Sequence, residues 1–180
     1  TQWQRLERFE RRVCELADAV VCVSEADAEA LRQLVPGLQP VVVPNGVDVE
    51  RYRPDLPDSI PLQHLALVFT GKMDFRPNID AVTWFAQDVL PLIRSRVADA
   101  TFVIVGKQPH PRVQELAQLP GVTVAGFVPD IRAHIAAASV YVVPLRMGGG
   151  TRLKVLEAMA MRAAMVSTRL GCEGFPLTDG

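Results

Sequence analysis

The sequence has little of what marks a secreted, metal-binding or membrane-spanning protein. It contains three cysteines without a CxxC pair and three scattered histidines, which excludes a disulfide framework and the ligand spacing of a zinc site. Its longest nearly apolar stretch, residues 135–145, is interrupted by Ser139 and Pro144 and is too short to cross a bilayer. Reduced thiols in a cytoplasmic protein are therefore expected.

The sequence also lacks an excess of charge of either sign. Its 19 Lys and Arg residues are balanced by 20 Asp and Glu residues, so the net charge is −1. This balance argues against a general nucleic-acid binder but leaves room for a local basic site. Hydrophobic residues make up 49% and charged residues 22%, as in ordinary globular proteins. The 180 residues correspond to one domain, or to one domain and a fragment of another.

Short apolar runs alternate with helical patterns along most of the chain. Because most of these runs are continuous, they predict strands that are buried on both faces, as in a parallel sheet between helices. The predicted fold class is α/β: a doubly wound, Rossmann-like parallel sheet with helices on both faces. Strands are expected at residues 19–23, 41–43, 65–70, 101–105, 122–126, 140–143 and 165–168. Helices are expected at residues 4–17, after Ser24, and at 78–96, 112–119, 131–138 and 152–161.

Three glycines, Gly148, Gly149 and Gly150, join a predicted strand to a predicted helix. Glycines let the backbone approach a ligand, and the N-terminus of a helix attracts anions. Arg152 and Lys154 fall in the first turn of this helix, where the helix dipole disfavours cations, so a bound phosphate or diphosphate would account for them. The alternative is a flexible glycine turn with two solvated cations.

Glu157 lies further along the same helix, beside a stripe of Leu153, Leu156 and Ala160 that is expected to face the core. A carboxylate at the edge of the core could accept hydrogen bonds from two sugar hydroxyls. The alternative is a surface acid at the rim of the helix, and the spacing alone leaves both open.

A second glycine loop follows the strand at 65–70. It contains Gly71, Lys72, Arg76 and Asn78, and Asn78 is the expected N-cap of the next helix. Lys72 and Arg76 are candidates for phosphate contacts, with a solvated loop as the alternative. In a parallel fold both glycine loops open on one edge of the sheet, so five cations are predicted to face one cleft: Lys72, Arg76, Arg146, Arg152 and Lys154. Neither loop matches a Walker or G-x-G-x-x-G motif, so a dinucleotide site is unsupported.

Four segments in this order resemble glycosyltransferase family 4, the group 1 glycosyltransferases of GT-B fold. Residues 44–48 are similar to the family's link between its two domains, and residues 69–72 with Asn78 resemble its phosphate-binding loop. Residues 126–128 with Asp130 resemble the loop that lies against the nucleotide base. Residues 150–160 resemble the donor-site helix.

The resemblance implies a retaining transferase that takes a sugar from a UDP- or GDP-sugar, in glycan or glycolipid biosynthesis, without a metal or other cofactor. Lys72 would contact the diphosphate, Phe127 and Val128 the base, and the amides of 151–154 the diphosphate. Glu157 would be the second acid of the family's E-x7-E motif and would bind the ribose. The complete set of expected donor-binding residues is Lys72, Arg76, Asn78, Phe127, Val128, Gly148, Gly149, Gly150, Thr151, Arg152, Leu153, Lys154 and Glu157.

The chain departs from the family pattern at three places. Gly149 stands where the first acid of E-x7-E is expected, so no residue is assigned a catalytic role with certainty. Pro77 stands at the second basic position of the earlier loop. Arg162 and Ala164 stand where the family usually has Gly and Pro, and a positive φ at Arg162 would cost about 1 kcal/mol.

The resemblance also predicts that this is only part of an enzyme. Residues 1–38 are expected to be a remnant of the N-terminal acceptor domain, and residues 39–180 a donor-binding domain truncated at its C-terminus. The fragment alone is expected to be inactive, because catalysis in a GT-B enzyme takes place between the two domains. The expected partners are a nucleotide-sugar and the missing acceptor domain, with no nucleic acid and no transmembrane segment, and with room for peripheral membrane association of the full-length protein.

Two other functions are compatible with the same residues. One is a GT-B enzyme of another class, such as a sugar-nucleotide epimerase. The other is a non-catalytic nucleotide-sugar-binding domain, which Gly149 in place of an acid mildly favours.

Overall fold

A computed structural model describes residues 2–55, 60–62, 65–175 and 177. The chain divides after Gly46 into two compact units. The domain boundary expected from the sequence lies earlier, after residue 38. Within the described part of the chain, no helix combines the length and apolar character that crossing a membrane requires.

The first unit consists of two helices and a short parallel ladder. Helix α1 spans Gln2–Leu16, strand β1 Val21–Cys22, helix α2 Glu25–Leu34 and strand β2 Val41–Val42, with β1 parallel to β2. Ser24 caps α2 as predicted, since its hydroxyl oxygen accepts a hydrogen bond from the Asp27 amide at 3.1 Å.

The second unit is a five-stranded, fully parallel sheet in the order β5-β4-β3-β6-β7. The predicted fold class is confirmed, and most strands of this sheet come from continuous apolar runs. The strands are β3 (Ala66–Thr70), β4 (Thr101–Val105), β5 (Val122–Gly126), β6 (Val140–Val143) and β7 (Met165–Ser167). The shorter helices are α5 (Pro111–Glu115), continued by a 3-10 turn (Leu116–Gln118), α6 (Arg132–Ala137) and α7 (Leu153–Ala160).

The helix expected at 78–96 is a three-part helix that contains a π-helical turn. It comprises α3 (Arg76–Trp84), the π turn (Phe85–Val89) and α4 (Leu90–Arg94). Pro91 explains the irregularity, because proline donates no backbone hydrogen bond and its ring crowds the carbonyl one turn earlier. The wider turn makes room for the proline while the chain remains helical.

The prediction that Asn78 caps α3 is wrong. The helix begins at Arg76, with Phe75 in the N-cap position and Pro77 in the first turn, where its fixed φ suits a helix start. Asn78 is buried, and its side-chain amide donates to the Lys72 carbonyl oxygen at 2.9 Å. Its role is therefore to hold the loop after β3 rather than the helix end.

The core lies on both faces of the sheet, around the fully buried side chains of Phe69, Phe102 and Tyr141. Helix α7 contributes Val155 and Ala158 to this core. The stripe predicted on α7 is wrong, since Leu153 is exposed while Leu156 and Ala160 are only partly buried. Apolar residues occur around most of this helix, so packing against the sheet selects the face that is buried.

Arg162 closes α7 in the left-handed conformation, with a φ of 53°. The Arg162 amide donates to the Met159 carbonyl at 2.9 Å, and the Ala163 amide donates to the Ala158 carbonyl at 3.0 Å. This pair of bonds is a Schellman motif, which favours glycine at the position that Arg162 occupies. The predicted strain at Arg162 therefore follows from its observed φ.

We expect Arg162→Gly to raise the free energy of unfolding by about 1 kcal/mol, because glycine adopts positive φ without a Cβ clash. Urea unfolding monitored by circular dichroism measures the change. Arg162→Ala is the matched control, since it removes the same exposed side chain but retains a Cβ. Equal stability of the glycine and alanine variants would contradict the strain.

Candidate functional site

The sheet has a topological switch point between β3 and β6. From central β3 the chain adds β4 and β5 on one side, and then returns to add β6 and β7 on the other. In sheets of this kind ligands bind outside the carboxyl ends of the strands at such a point. The Thr70 and Tyr141 hydroxyls join the two strands there through a buried hydrogen bond of 2.5 Å.

A pocket of about 340 Å³ opens at this edge of the sheet. We call it the switch-point pocket. The end of β3, the loops after β3, β4 and β5, and helix α7 line it with Thr70, Gly71, Lys72, Gly106, Lys107, Phe127, Val128, Ile131, Lys154 and Glu157.

Five of the residues predicted to bind a donor meet in this pocket: Lys72, Phe127, Val128, Lys154 and Glu157. Phe127 is 72% exposed, so its ring is available to a ligand, whereas Val128 packs against the core. The other predicted residues do not line this pocket. Asn78 contacts its wall from behind, through the Lys72 carbonyl.

Two glycines bring the loops after β3 and β4 into direct backbone contact. A Cβ on Gly106 would lie 1.6 Å from the Gly71 carbonyl oxygen. The Gly71 amide donates to the Val105 carbonyl at 3.0 Å, and the Met73 amide donates to the Lys107 carbonyl at 3.0 Å. This close approach fixes the floor of the pocket, and only glycine at position 106 permits it.

Lys154 reaches from α7 to the end of β3. Its Nζ donates to the Thr70 carbonyl at 2.7 Å and to Asn78 Oδ1 at 3.1 Å, and lies 3.9 Å from the centroid of the Phe69 ring. Burial lowers the pKa of Lys154 to about 7, Glu157 opposes this shift, and the like charge of Arg152 adds to it.

Glu157 is held by a residue that the sequence analysis did not identify. The Tyr52 hydroxyl donates to Glu157 Oε1 at 3.0 Å. Partial burial of Tyr52, and the negative charge of Glu157, raise the pKa of this phenol above its ordinary value. Because Tyr52 engages one carboxylate oxygen, Oε2 remains for other donors.

An ion pair next to the pocket anchors the segment that carries Tyr52. Arg132 binds both carboxylate oxygens of Asp130, with Nε 2.8 Å from Oδ1 and Nη2 2.5 Å from Oδ2. Arg132 Nη1 also donates to the Arg51 carbonyl at 2.7 Å. The guanidinium hydrogen bonds lower the pKa of Asp130, so this carboxylate remains charged at neutral pH.

Arg152 folds back onto its own glycine loop. Its Nη2 donates to the Gly148 carbonyl at 2.8 Å, and its Nη1 donates to the Gly149 carbonyl. Gly148 and Gly150 both have positive φ, which lets the loop turn its carbonyls towards this guanidinium. The cation at the start of α7 is thus held by neutral carbonyls of its own loop through its two Nη atoms, while its Nε is buried and has no hydrogen-bond partner among the described residues.

Arg146 and Arg76 line a second and larger cavity of about 690 Å³, which we call the Trp84 pocket. Arg146 binds Asp80 through two hydrogen bonds, of 2.7 and 3.1 Å, and lies 4.9 Å from the centroid of the Trp84 ring. The prediction that five cations face one cleft is therefore wrong. Lys72 and Lys154 line the switch-point pocket, and Arg76 and Arg146 line the Trp84 pocket. Arg152 binds the carbonyls of its own loop.

Gly149, at the position of the missing acid, points to open space. A Cβ added there would meet no atom within 4 Å, and its φ is not positive. Packing therefore does not require glycine at this position. Pro77, at the other departure from the motif, packs beneath the same loop, since a Cβ on Gly148 would lie 3.3 Å from Pro77 Cγ.

The sequence carried no signal for Tyr52 or Tyr141 as site residues. Tyr52 lies 105 positions from Glu157, and Tyr141 lies 71 positions from Thr70. Both contacts depend on the order of the strands, which a periodic pattern does not specify.

In the part of the chain that the structure describes, no group of three or more His, Cys, Asp or Glu side chains is placed to hold a metal ion.

Comparison with known families identifies the chain. A model of the family described as "Glycosyl transferases group 1" matches residues 64–178, more than half of the chain. A second model, "Glycosyltransferase Family 4", matches residues 1–51. The chain therefore belongs to the group 1 glycosyltransferases, as its motifs indicated.

Solved structures support the same fold. HepE from Anabaena, crystallised with UDP and glucose, superposes with a TM-score of 0.65 at 17% identity, over 92% of this chain and 49% of that chain. Sucrose-phosphate synthase from Thermosynechococcus elongatus superposes with a TM-score of 0.68 at 21% identity, over 93% of this chain and 45% of that chain. These likenesses show the GT-B glycosyltransferase fold.

A curated relative is the uncharacterised protein of the cps region of Klebsiella pneumoniae, 22% identical over 131 residues. The match covers 68% of this chain and 34% of that relative. The chain thus spans about a third of this relative and about half of the two solved enzymes.

We expect Gly106→Ala to lower the free energy of unfolding by about 1–3 kcal/mol, because its Cβ would collide with the Gly71 carbonyl. Urea unfolding measures the loss. Gly149→Ala is the control, since its Cβ meets open space and the expected change is within about 0.5 kcal/mol. Equal effects at both positions would show that the two loops tolerate separation.

Proposed function

We propose that the chain is the donor-binding part of a retaining glycosyltransferase. It binds a UDP- or GDP-sugar, from which the full-length protein transfers a hexosyl group to an acceptor in cytoplasmic glycan or glycolipid biosynthesis. The observation that carries this proposal is the meeting of three lysines, a carboxylate and an exposed aromatic ring in the switch-point pocket. Family membership and the UDP-bound structure of HepE support it.

The cationic side of the pocket suits a diphosphate. Lys72, Lys107 and Lys154 all line the pocket and supply its positive charge. Charge develops on the diphosphate when the bond to the sugar breaks. Fixed positive groups that stabilise this leaving group lower the barrier to transfer. Such electrostatic stabilisation is usually the largest single contribution to catalysis.

The opposite side of the pocket suits a nucleoside. Glu157 offers carboxylate oxygens to the two hydroxyls of a ribose, while Tyr52 keeps the carboxylate in place. Phe127 offers an exposed ring next to the backbone of Val128, where a flat base can stack. The pocket thus presents separate chemistry for phosphate, ribose and base.

Transfer itself requires the other domain. We propose that residues 1–38 are the end of an acceptor domain and that residues 39–180 are a donor-binding domain truncated at its C-terminus. The chain spans about half of the solved enzymes, in keeping with this division. The fragment is then expected to bind a donor without transferring its sugar.

A non-catalytic donor-binding domain is a second candidate, favoured by Gly149 where the family carries an acid. Product analysis with the full-length protein separates the candidates. Transfer to an acceptor supports the transferase, interconversion of the sugar supports an epimerase, and binding without either reaction supports the non-catalytic domain.

We expect Glu157→Gln to weaken UDP binding by about 10-fold or more, because hydrogen bonds to a charged group contribute about 1.5–3 kcal/mol. Isothermal titration calorimetry with UDP measures the loss. The same substitution should hardly change the affinity for 2′,3′-dideoxy-UDP, because this analogue lacks the ribose hydroxyls that Glu157 would bind. Glu115→Gln, which removes a carboxylate outside the pocket, is the matched control. Absence of UDP, GDP and ADP binding to the unaltered chain would overturn the proposed function.

We expect Tyr52→Phe to weaken UDP binding by about 2–10-fold, because losing the phenol hydroxyl removes the hydrogen bond that orients Glu157. The same calorimetry with Tyr52→Phe, Glu157→Gln and the double variant tests this. The double variant should bind as weakly as Glu157→Gln alone. Additive losses would show that Tyr52 acts independently of Glu157.

A further inference from the structure

Lys154 links three elements that border the switch-point pocket. From α7 its Nζ donates to the last residue of β3, Thr70, at 2.7 Å, and to Asn78 of α3 at 3.1 Å. Asn78 in turn contacts the loop after β3, since its side-chain amide donates to the Lys72 carbonyl at 2.9 Å. The ammonium therefore holds the loop that carries Lys72 against the donor-site helix.

The absence of a side chain at Gly71 leaves room for the Lys154 ammonium. A Cβ on Gly71 would lie 2.9 Å from Lys154 Nζ and 2.8 Å from Asn78 Nδ2. A side chain at position 71 would therefore displace both groups. The ring of Phe69, 3.9 Å from Nζ, closes another side of the same space.

Lys154 forms no direct ion pair among the described residues, and the Glu157 carboxylate acts on it only at longer range. Its two hydrogen-bond acceptors are neutral oxygens, and none of the ion pairs in the described chain includes it. A lysine ammonium has three N–H donors, so two are assigned to Thr70 and Asn78. Since Lys154 also lines the pocket, the remaining donor and the unbalanced charge are available to an anion there.

We propose that Lys154 is a positioning residue whose ammonium is completed by the diphosphate of the donor, so that donor binding is coupled to the uptake of one proton by Lys154. This inference rests on the proposed function, because it takes a nucleotide-sugar as the ligand of the pocket. The inference goes beyond the proposed function because it assigns the uptake of a proton on donor binding to one side chain. The bond formed is N–H on the Lys154 amine, with the proton taken from the buffer.

The direction of the linkage follows from the surroundings of Lys154. Burial lowers its pKa to about 7, so the amine of the free protein is mostly neutral above that pH. A diphosphate favours the charged form and raises the pKa again, so binding takes up a proton between about pH 7 and the pKa of the complex. Affinity therefore falls as pH rises above about 7, by up to about tenfold per pH unit.

Several other charged or titratable groups face the same region. On α7 and its N-cap these are Glu157 and Arg152. On the loops after β3 and β4 they are Lys72, paired with Asp74 at 3.2 Å, and Lys107. Behind the pocket, burial raises the pKa of Tyr141 above its ordinary value, so this phenol stays neutral over the same range. The experiment therefore has to separate Lys154 from the other lysines.

The test measures UDP-glucose binding to the 180-residue chain by calorimetry, from about pH 6.5 to about pH 8.5, in buffers of different ionisation enthalpy. UDP-glucose is the probe because its diphosphate is esterified at both ends and lacks the phosphate ionisation near pH 6. Near pH 8 we expect uptake of more than about half a proton per ligand bound, with an affinity several-fold weaker than near pH 6.5.

Two variants assign the proton. Lys154→Met should abolish both the proton uptake and the decline of affinity with pH. Lys107→Met removes an exposed lysine from the same pocket lining, so it should weaken binding at every pH and leave the proton uptake in place. If Lys154→Met does not fold, the buffer series on the unaltered chain, together with Lys107→Met, still measures the uptake.

The outcomes distinguish the two proposals. Binding of UDP-glucose without proton uptake, or uptake that persists in Lys154→Met, would overturn the role of Lys154 and leave the donor site intact. Absence of binding at every pH would overturn the donor site itself and this inference with it. Uptake that Lys154→Met abolishes and Lys107→Met retains supports the proposal.

Discussion

The pairing of β3 with β6 is the constraint on which the rest of the structure depends. It places β3 at the centre of the sheet and reverses the direction in which strands are added, so a crevice opens at the ends of these two strands. The buried hydrogen bond between Thr70 and Tyr141 lies at this junction, and the loops that line the pocket leave from the same edge. The pairing brings Lys154 and Glu157, on the helix that follows β6, next to the loops after β3, β4 and β5.

Close backbone contact and long side chains complete the site. Gly71 and Gly106 allow two loops to touch, and the space left by the missing Cβ of Gly71 holds the ammonium of Lys154. Lys154 and Tyr52 then reach across the pocket walls, one to the end of β3 and the other to Glu157. These contacts balance the cost of burying polar groups, since a buried donor or acceptor without a partner is expensive. They also leave one acceptor and one donor facing the pocket, which is where a ligand gains specificity.

Sequence reasoning predicted the fold class, and five of the thirteen residues that it assigned to a donor site lie together in the switch-point pocket, because strand burial and loop position follow from local pattern. Continuous apolar runs predicted the parallel strands, and glycine loops after strands predicted where Lys72, Lys154 and Glu157 would meet. It misplaced Arg146 and Arg76, because charge and loop position do not tell which partner a guanidinium finds. Arg146 binds Asp80 and stacks on Trp84, and these contacts hold it in another pocket. It also misjudged α7, since a helix that is apolar on most sides is oriented only by the sheet beneath it.

The sequence by itself determined the elements, their parallel arrangement, the family and the departures at Gly149, Pro77 and Arg162. These are properties of residue type and spacing along the chain, and the strained φ at Arg162 belongs to this class because helix termination is local. The tertiary structure alone decided the contact of Tyr52 with Glu157, the burial of Lys154 and the division of the cations between two pockets. Those contacts join residues far apart in the chain, and their energies depend on the distances and the exclusion of water that only the packed sheet creates.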